Sequence, residues 1–117
     1  VQHIRKEFPS LLLMADIATL EEAQNAQALG FDCIGTTLHG YTQETQGSKL
    51  WHDDFAFLRQ VLAQCTTPVI AEGNVDTPEM AARCLALGAH AVVVGGAITR
   101  PQQITQRFTD AIRSLRS

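Results

Sequence analysis

The chain has 117 residues, 45% of them apolar and 18% charged, so it can bury one core and has no room for a second domain of ordinary size. Lys plus Arg is 9 and Asp plus Glu is 12, a formal charge of −3, which argues against nucleic acid or an anionic membrane surface as the main partner. No apolar run approaches a bilayer span, no secretory signal pattern opens the chain, and the cysteines (Cys33, Cys65, Cys84) lack CxxC spacing. They fit small buried residues in a reducing, cytoplasmic compartment.

In chain order, Val1–Phe8 reads as the tail of a helix. Leu11–Ala15, Asp32–Thr37, Pro68–Ala71 and Ala91–Val94 read as strands. These runs are nearly continuous in apolar residues rather than alternating, the pattern of parallel strands buried on both faces. Amphipathic segments separate them. Thr19-Leu-Glu-Glu22 has capping-box spacing, and Gly30 closes that helix. Asp53 is placed to cap the next, whose Phe55, Leu58, Val61 and Leu62 share a face. Thr77-Pro78 opens a third helix that stops at Gly88, and Pro101 opens the last. The stripe Ile104, Phe108, Ala111, Ile112 and Leu115 on this last helix is expected to pack against the sheet.

The segment Thr19 to Gly30 is echoed, 58 positions later, by Thr77 to Gly88. Four strand–helix units of roughly 29 residues have the pitch of a (β/α)8 TIM barrel, which needs on the order of 230. The expected architecture is therefore α/β, with residues 1–117 forming half of a barrel as a single domain. The start at Val1 and the helix tail before the first strand suggest a fragment from the C-terminal side.

Chemistry in such folds sits at the carboxyl ends of the strands. The first of these loops carries Asp16, which suits either ligand binding or a cap for the helix near Thr19. The second carries Thr36, Thr37, His39 and Tyr41 and runs on to His52, long enough to form a rim or lid. The two threonines and Tyr41 are candidate ligand contacts. In the third, Glu72 directly follows an apolar strand, a setting suited to proton transfer, and Gly73 allows close backbone approach. The fourth, Gly95-Gly96 followed by Arg100, can cradle an anion with backbone N–H groups and a guanidinium. His90 falls at the opposite face, and His3 and His52 read as solvated or capping. No residue spacing suggests a zinc site.

Met14-Ala-Asp-Ile17 with Thr19-Leu-Glu-Glu22, Gly35-Thr-Thr-Leu38 with Gly40-Tyr-Thr42, Val69-Ile-Ala-Glu-Gly73 with Thr77-Pro78, and Val94-Gly95 with Ala97-Ile-Thr-Arg-Pro101 occur in one order. From Leu11 to about Ile112 the chain resembles the N-acetylmannosamine-6-phosphate 2-epimerase family of bacterial sialic acid catabolism. The resemblance implies a phosphate-binding barrel that interconverts N-acetylmannosamine 6-phosphate and N-acetylglucosamine 6-phosphate without metal or organic cofactor. A proton leaves and returns at C2 of the open-chain sugar. Glu72 takes the catalytic glutamate's place, Arg100 a substrate contact, and Gly73, Gly95 and Gly96 the phosphate region. The family's lysine has no counterpart, because Lys6 and Lys49 do not follow buried strands. It is expected in a missing N-terminal half-barrel, so this chain alone should not turn over substrate.

His39 and Gly96 stand where serine is common, and Asn74 where a basic residue is often found. The implied partners are a phosphorylated N-acetyl amino sugar and the missing half, with a homodimer left open. The alternatives are another phosphosugar barrel, such as a thiazole- or thiamine-phosphate-forming synthase, and a half-barrel that binds phosphate without catalysis.

Overall fold

A computed structural model describes residues 1–116. Helix α1 (Gln2–Glu7) leads into β1 (Met14–Asp16), α2 (Leu20–Ala28), β2 (Cys33–Gly35), α3 (His52–Gln64), β3 (Val69–Glu72), α4 (Pro78–Leu87) and β4 (Ala91–Val93). A one-turn helix, α5 (Gly96–Thr99), and the longer α6 (Pro101–Ser114) complete the described chain. The strands form one parallel sheet in the order β1-β2-β3-β4, with Ile34 opposite Val69 and Glu72 opposite Val93. This is half of a (β/α)8 arrangement. The strands are shorter than predicted: Leu11–Leu13 lie ahead of β1, and Thr36 and Thr37 just beyond β2.

The repeat is built as its spacing predicts. Thr19 and Thr77 both cap their helices, accepting from the backbone N–H of Glu22 and of Met80. Glu22 returns the bond to the Thr19 N–H, whereas the second copy has Met80 there and keeps only half of the box. Thr19 thus takes the cap, and Asp16 does not.

Asp53 does not cap α3. Asp53, Asp54 and Phe55 are consecutive left-handed residues at φ 55, 53 and 58°, so the helix entry is a tight reversed turn and Trp51 precedes it without a side-chain cap. Arg59 holds this turn by donating to the carbonyls of Asp53 and Asp54, both at 2.9 Å. Arg83 on α4 pairs with the Asp54 carboxylate at 2.6 Å. The turn drives Phe55 into the core beside Leu58 and Val61, as the periodicity predicts.

The core lies between the sheet and helices α2, α3 and α4. Ile34, Leu58, Val61, Ala71 and Cys84 are completely buried. All three cysteines are free thiols; Cys65 and Cys84 are buried and Cys33 partly so. At the other end of the sheet, Arg5 of α1 pairs with Asp32 at 2.8 Å, and Asp32 also accepts from the Leu13 N–H.

The expected packing of α6 on the sheet is not found. No residue of α6 is buried, and Phe108 is 68% exposed. The stripe is real, but among the described residues no layer lies against it. Leu12 and Met14 at the β1 edge and Val93 at the β4 edge are exposed for a similar reason: both strands end the sheet, and a closed barrel would have no such edges.

Candidate active site

At the carboxyl ends of the strands an open cleft of about 510 Å³ is lined by Thr37, Tyr41, Glu72, Gly73, Gly95, Gly96 and Arg100, among others. Glu72 is the last residue of β3, so its backbone is fixed by the ladder while its carboxylate stands at the rim. Gly73 and Asn74 then turn the chain with φ of 112 and 55°. Asparagine tolerates this left-handed conformation better than most residues. The Arg100 side chain lies back against Gly96, where a Cβ would meet it at 3.4 Å, an ordinary contact distance.

Two threonines serve one glutamate. The Thr36 side chain is completely buried; its hydroxyl donates to the Glu72 carbonyl at 2.8 Å and accepts from the Glu72 N–H at 2.9 Å. Thr36, predicted to touch the ligand, is instead committed to the backbone of Glu72. Thr37 Oγ1 lies 2.8 Å from Glu72 Oε2 and 2.9 Å from Asp16 Oδ1. Asp16 therefore meets the site through Thr37 and is not among the residues lining the cleft. Glycine at 35 leaves room here: a Cβ would displace the Met14 methyl and crowd Asp16 Oδ1 at 3.1 Å.

The long connection after Thr37 is a self-bonded coil rather than a loose strap. The hydroxyls of Thr42 and Thr45 meet at 2.7 Å, and Thr45 also accepts from the Gly40 N–H. Leu50 anchors the far end in the core at 1% exposure. Tyr41 is exposed on the cleft side. His39 faces the other way: its ring stacks on Phe57 at 3.8 Å and its Nδ1 lies 2.9 Å from the Ala18 carbonyl. A carbonyl can only accept, so Nδ1 carries the hydrogen.

Sequence reasoning missed Asp76 and Gln103, which line the cleft from the loop after β3 and from α6. Gln103 is two residues past the proline that opens a helix, a position that reads as ordinary helix surface. Neither lysine lines the cleft; the Lys49 ammonium sits 5.8 Å from the centre of the Trp51 ring. Burial, then the charges of Asp32 and Asp16, push the Cys33 thiol up, so it stays protonated. Among the described residues no group of three His, Cys, Asp or Glu side chains could hold a metal ion, and no helix is long and apolar enough to cross a membrane.

The fold and the cleft define one class: half of a (β/α)8 barrel bearing a carboxylate, an arginine and glycine loops at the strands' carboxyl ends. Residues 1–114 match the family described as "Putative N-acetylmannosamine-6-phosphate epimerase", and the chain belongs to that family. A relative from Enterobacter sp. (strain 638), named "Putative N-acetylmannosamine-6-phosphate 2-epimerase", is 71% identical over 114 residues, 97% of this chain and 48% of the relative. One of the same name from Listeria welshimeri is 57% identical over 113 residues, again 97% of this chain and 48% of the relative. The solved N-acetylmannosamine-6-phosphate 2-epimerase from Clostridium perfringens superposes with a TM-score of 0.82 at 50% identity, covering 95% of this chain and 47% of that one. A thiamine phosphate pyrophosphorylase from Pyrococcus furiosus, with a TM-score of 0.64 at 24% identity over 83% of this chain and 45% of its own, shares the fold alone. The chain spans about half the length of the curated relatives it matches.

Proposed function

We propose that this chain is the Glu72-bearing half of an epimerase that interconverts N-acetylmannosamine 6-phosphate and N-acetylglucosamine 6-phosphate. The observation that carries the reading is the placement of Glu72 across one cleft from Arg100, Gly95 and Gly96, in a chain of this family. The sugar phosphate lies with its phosphate toward Gly73, Gly95 and Gly96, and Arg100 grips its oxygens. Tyr41 closes the rim.

In the open-chain sugar the C1 carbonyl acidifies C2–H. Glu72 exchanges a proton with C2 on one face, and the partner group on the opposite face comes from the half-barrel that this chain lacks. The family's lysine belongs there, which is why neither Lys6 nor Lys49 is needed in the cleft. The complete enzyme works in sialic acid breakdown in the cytoplasm, and this chain alone does not turn over.

The test uses a complete barrel made by joining this chain to the preceding half of the Enterobacter relative. It is incubated with N-acetylmannosamine 6-phosphate in D₂O and C2 is followed by NMR. Deuterium entering C2 as the epimer appears supports the reading. Intact binding of the sugar phosphate with neither exchange nor epimer refutes it and favours a binding half-barrel.

A further inference from the structure

Thr37 presents a hydrogen-bond imbalance. Its hydroxyl oxygen is 2.8 Å from Glu72 Oε2 and 2.9 Å from Asp16 Oδ1. A hydroxyl has one hydrogen, and a carboxylate can only accept. With both carboxyls ionised, one hydrogen must serve two acceptors and the cluster is one hydrogen short. With a proton on Glu72 Oε2 the chain is complete: Oε2–H donates to Oγ1, and Oγ1–H donates to Asp16 Oδ1.

We propose that Thr37 is a positioning residue which, with Asp16, keeps Glu72 Oε2 hydrogen-bonded both before and after Glu72 takes a proton. The inference rests on the reading of Glu72 as the base. When the C2–H bond breaks, its electron pair stays on the sugar as the enolate and the proton ends on Oε2, whose O–H then turns about the Cδ–Oε2 bond to face Thr37 Oγ1. Thr37 only turns about its Cβ–Oγ1 bond, moving its hydrogen from Glu72 to Asp16. No bond of Thr37 breaks and no proton passes along the chain. The reverse turn accompanies return of the proton. Glu72 therefore changes state without moving its carboxyl, because Thr36 holds its backbone on the other side. Preserving geometry through a proton transfer matters because small displacements at a reacting centre cost large factors in rate.

The other charged or titratable groups at hand are Arg100, Asp76 and Tyr41, which line the same cleft, and the Cys33 thiol near Asp16. Among the described residues none of them bonds to the Thr37 hydroxyl, whose partners are Asp16 and Glu72.

The experiment compares Thr37→Val with Thr37→Ser in the complete barrel described above. Valine keeps the shape and removes the hydroxyl; serine restores it. The expected kinetics are a fall in kcat of about tenfold or more for valine, KM within about twofold of wild type, and recovery with serine. A second readout does not need turnover: the infrared carbonyl band of protonated Glu72, assigned by its loss in Glu72→Gln. That band should move to higher frequency in Thr37→Val and stay in place in Thr37→Ser. Should the valine variant fail to fold, Asp16→Asn, which removes the anionic acceptor, should shift the same band. An unmoved band, a loss confined to KM, or no rescue by serine overturns the proposal. A band that moves in a barrel that does not epimerise leaves the Thr37 switch standing and refutes the epimerase reading instead.

Discussion

The hydroxyl of Thr36 bonds both the N–H and the C=O of Glu72, at 2.9 and 2.8 Å, from a position with no solvent exposure. One side chain thus holds the residue that carries the proposed chemistry at both ends of its backbone. Thr36→Val keeps the volume and removes both bonds. It should cost about 1–3 kcal/mol of stability, the range for stranding a buried polar group. Chemical denaturation reads this directly. Turnover in the complete barrel should fall as well, since Glu72 loses its anchor.

Glu72 and Arg100 should separate in kinetics. Glu72→Gln keeps the side chain's shape and its place in the cleft but cannot take a proton. It should cut turnover by roughly 10²-fold or more while leaving sugar phosphate binding in place. Arg100→Ala should act mainly through KM, as expected for a group that holds ground state and transition state alike. Steady-state kinetics on the complete barrel distinguishes them, and unchanged turnover in Glu72→Gln removes that residue from the mechanism.

Helix α6 should be the least protected helix of its length. It is 14 residues long with no buried residue, and isolated helices of that size are marginal in water. Helix α3, at 13 residues, buries Phe55, Leu58 and Val61. Amide hydrogen exchange on this chain should show α6 exchanging far faster than α3. Equal protection in the two helices would mean that α6 finds cover in solution.

The lower end of the sheet should show acid sensitivity through Asp32. The Leu13 N–H, then the Arg5 guanidinium, hold its carboxyl below its ordinary value of 3.8. A carboxyl lowered by folding stabilises the fold in full above that ordinary value, and the contribution fades as pH falls through the folded value. Asp32→Asn should therefore lower Tm at neutral pH, and the gap to wild type should close below pH 3.8. A gap that persists in acid would point to lost packing rather than charge.

The architecture was legible because its signals are local. Thr19 and Thr77 announce helix starts, Gly30 and Gly88 helix ends, and the spacing between them gives the pitch of the barrel. Two local readings failed for identifiable reasons. Asp53 has the composition of a cap, but its segment is a left-handed turn bonded by Arg59 about one and a half helical turns on and by Arg83 of the next helix, contacts that a cap signature does not reveal. The α6 stripe shows which residues are apolar, not whether a surface exists to receive them. In the site, Glu72 and Arg100 could be found from their positions after strands. The division of labour between Thr36 and Thr37 could not, because it depends on which strand face each occupies once β2 and β3 are in register.

That register, Ile34 opposite Val69 and Gly35 opposite Ile70, has a consequence for tolerance to mutation. Side chains alternate between the two faces of a strand, so a slip of one residue would turn the Thr36 and Thr37 side chains each to the opposite face. The present division, in which Thr36 bonds the backbone of Glu72 and Thr37 its carboxylate, exists only in this register. Substitutions at Ile34 or Val69, which never approach the cleft, should thus be selected as strictly as those that line it.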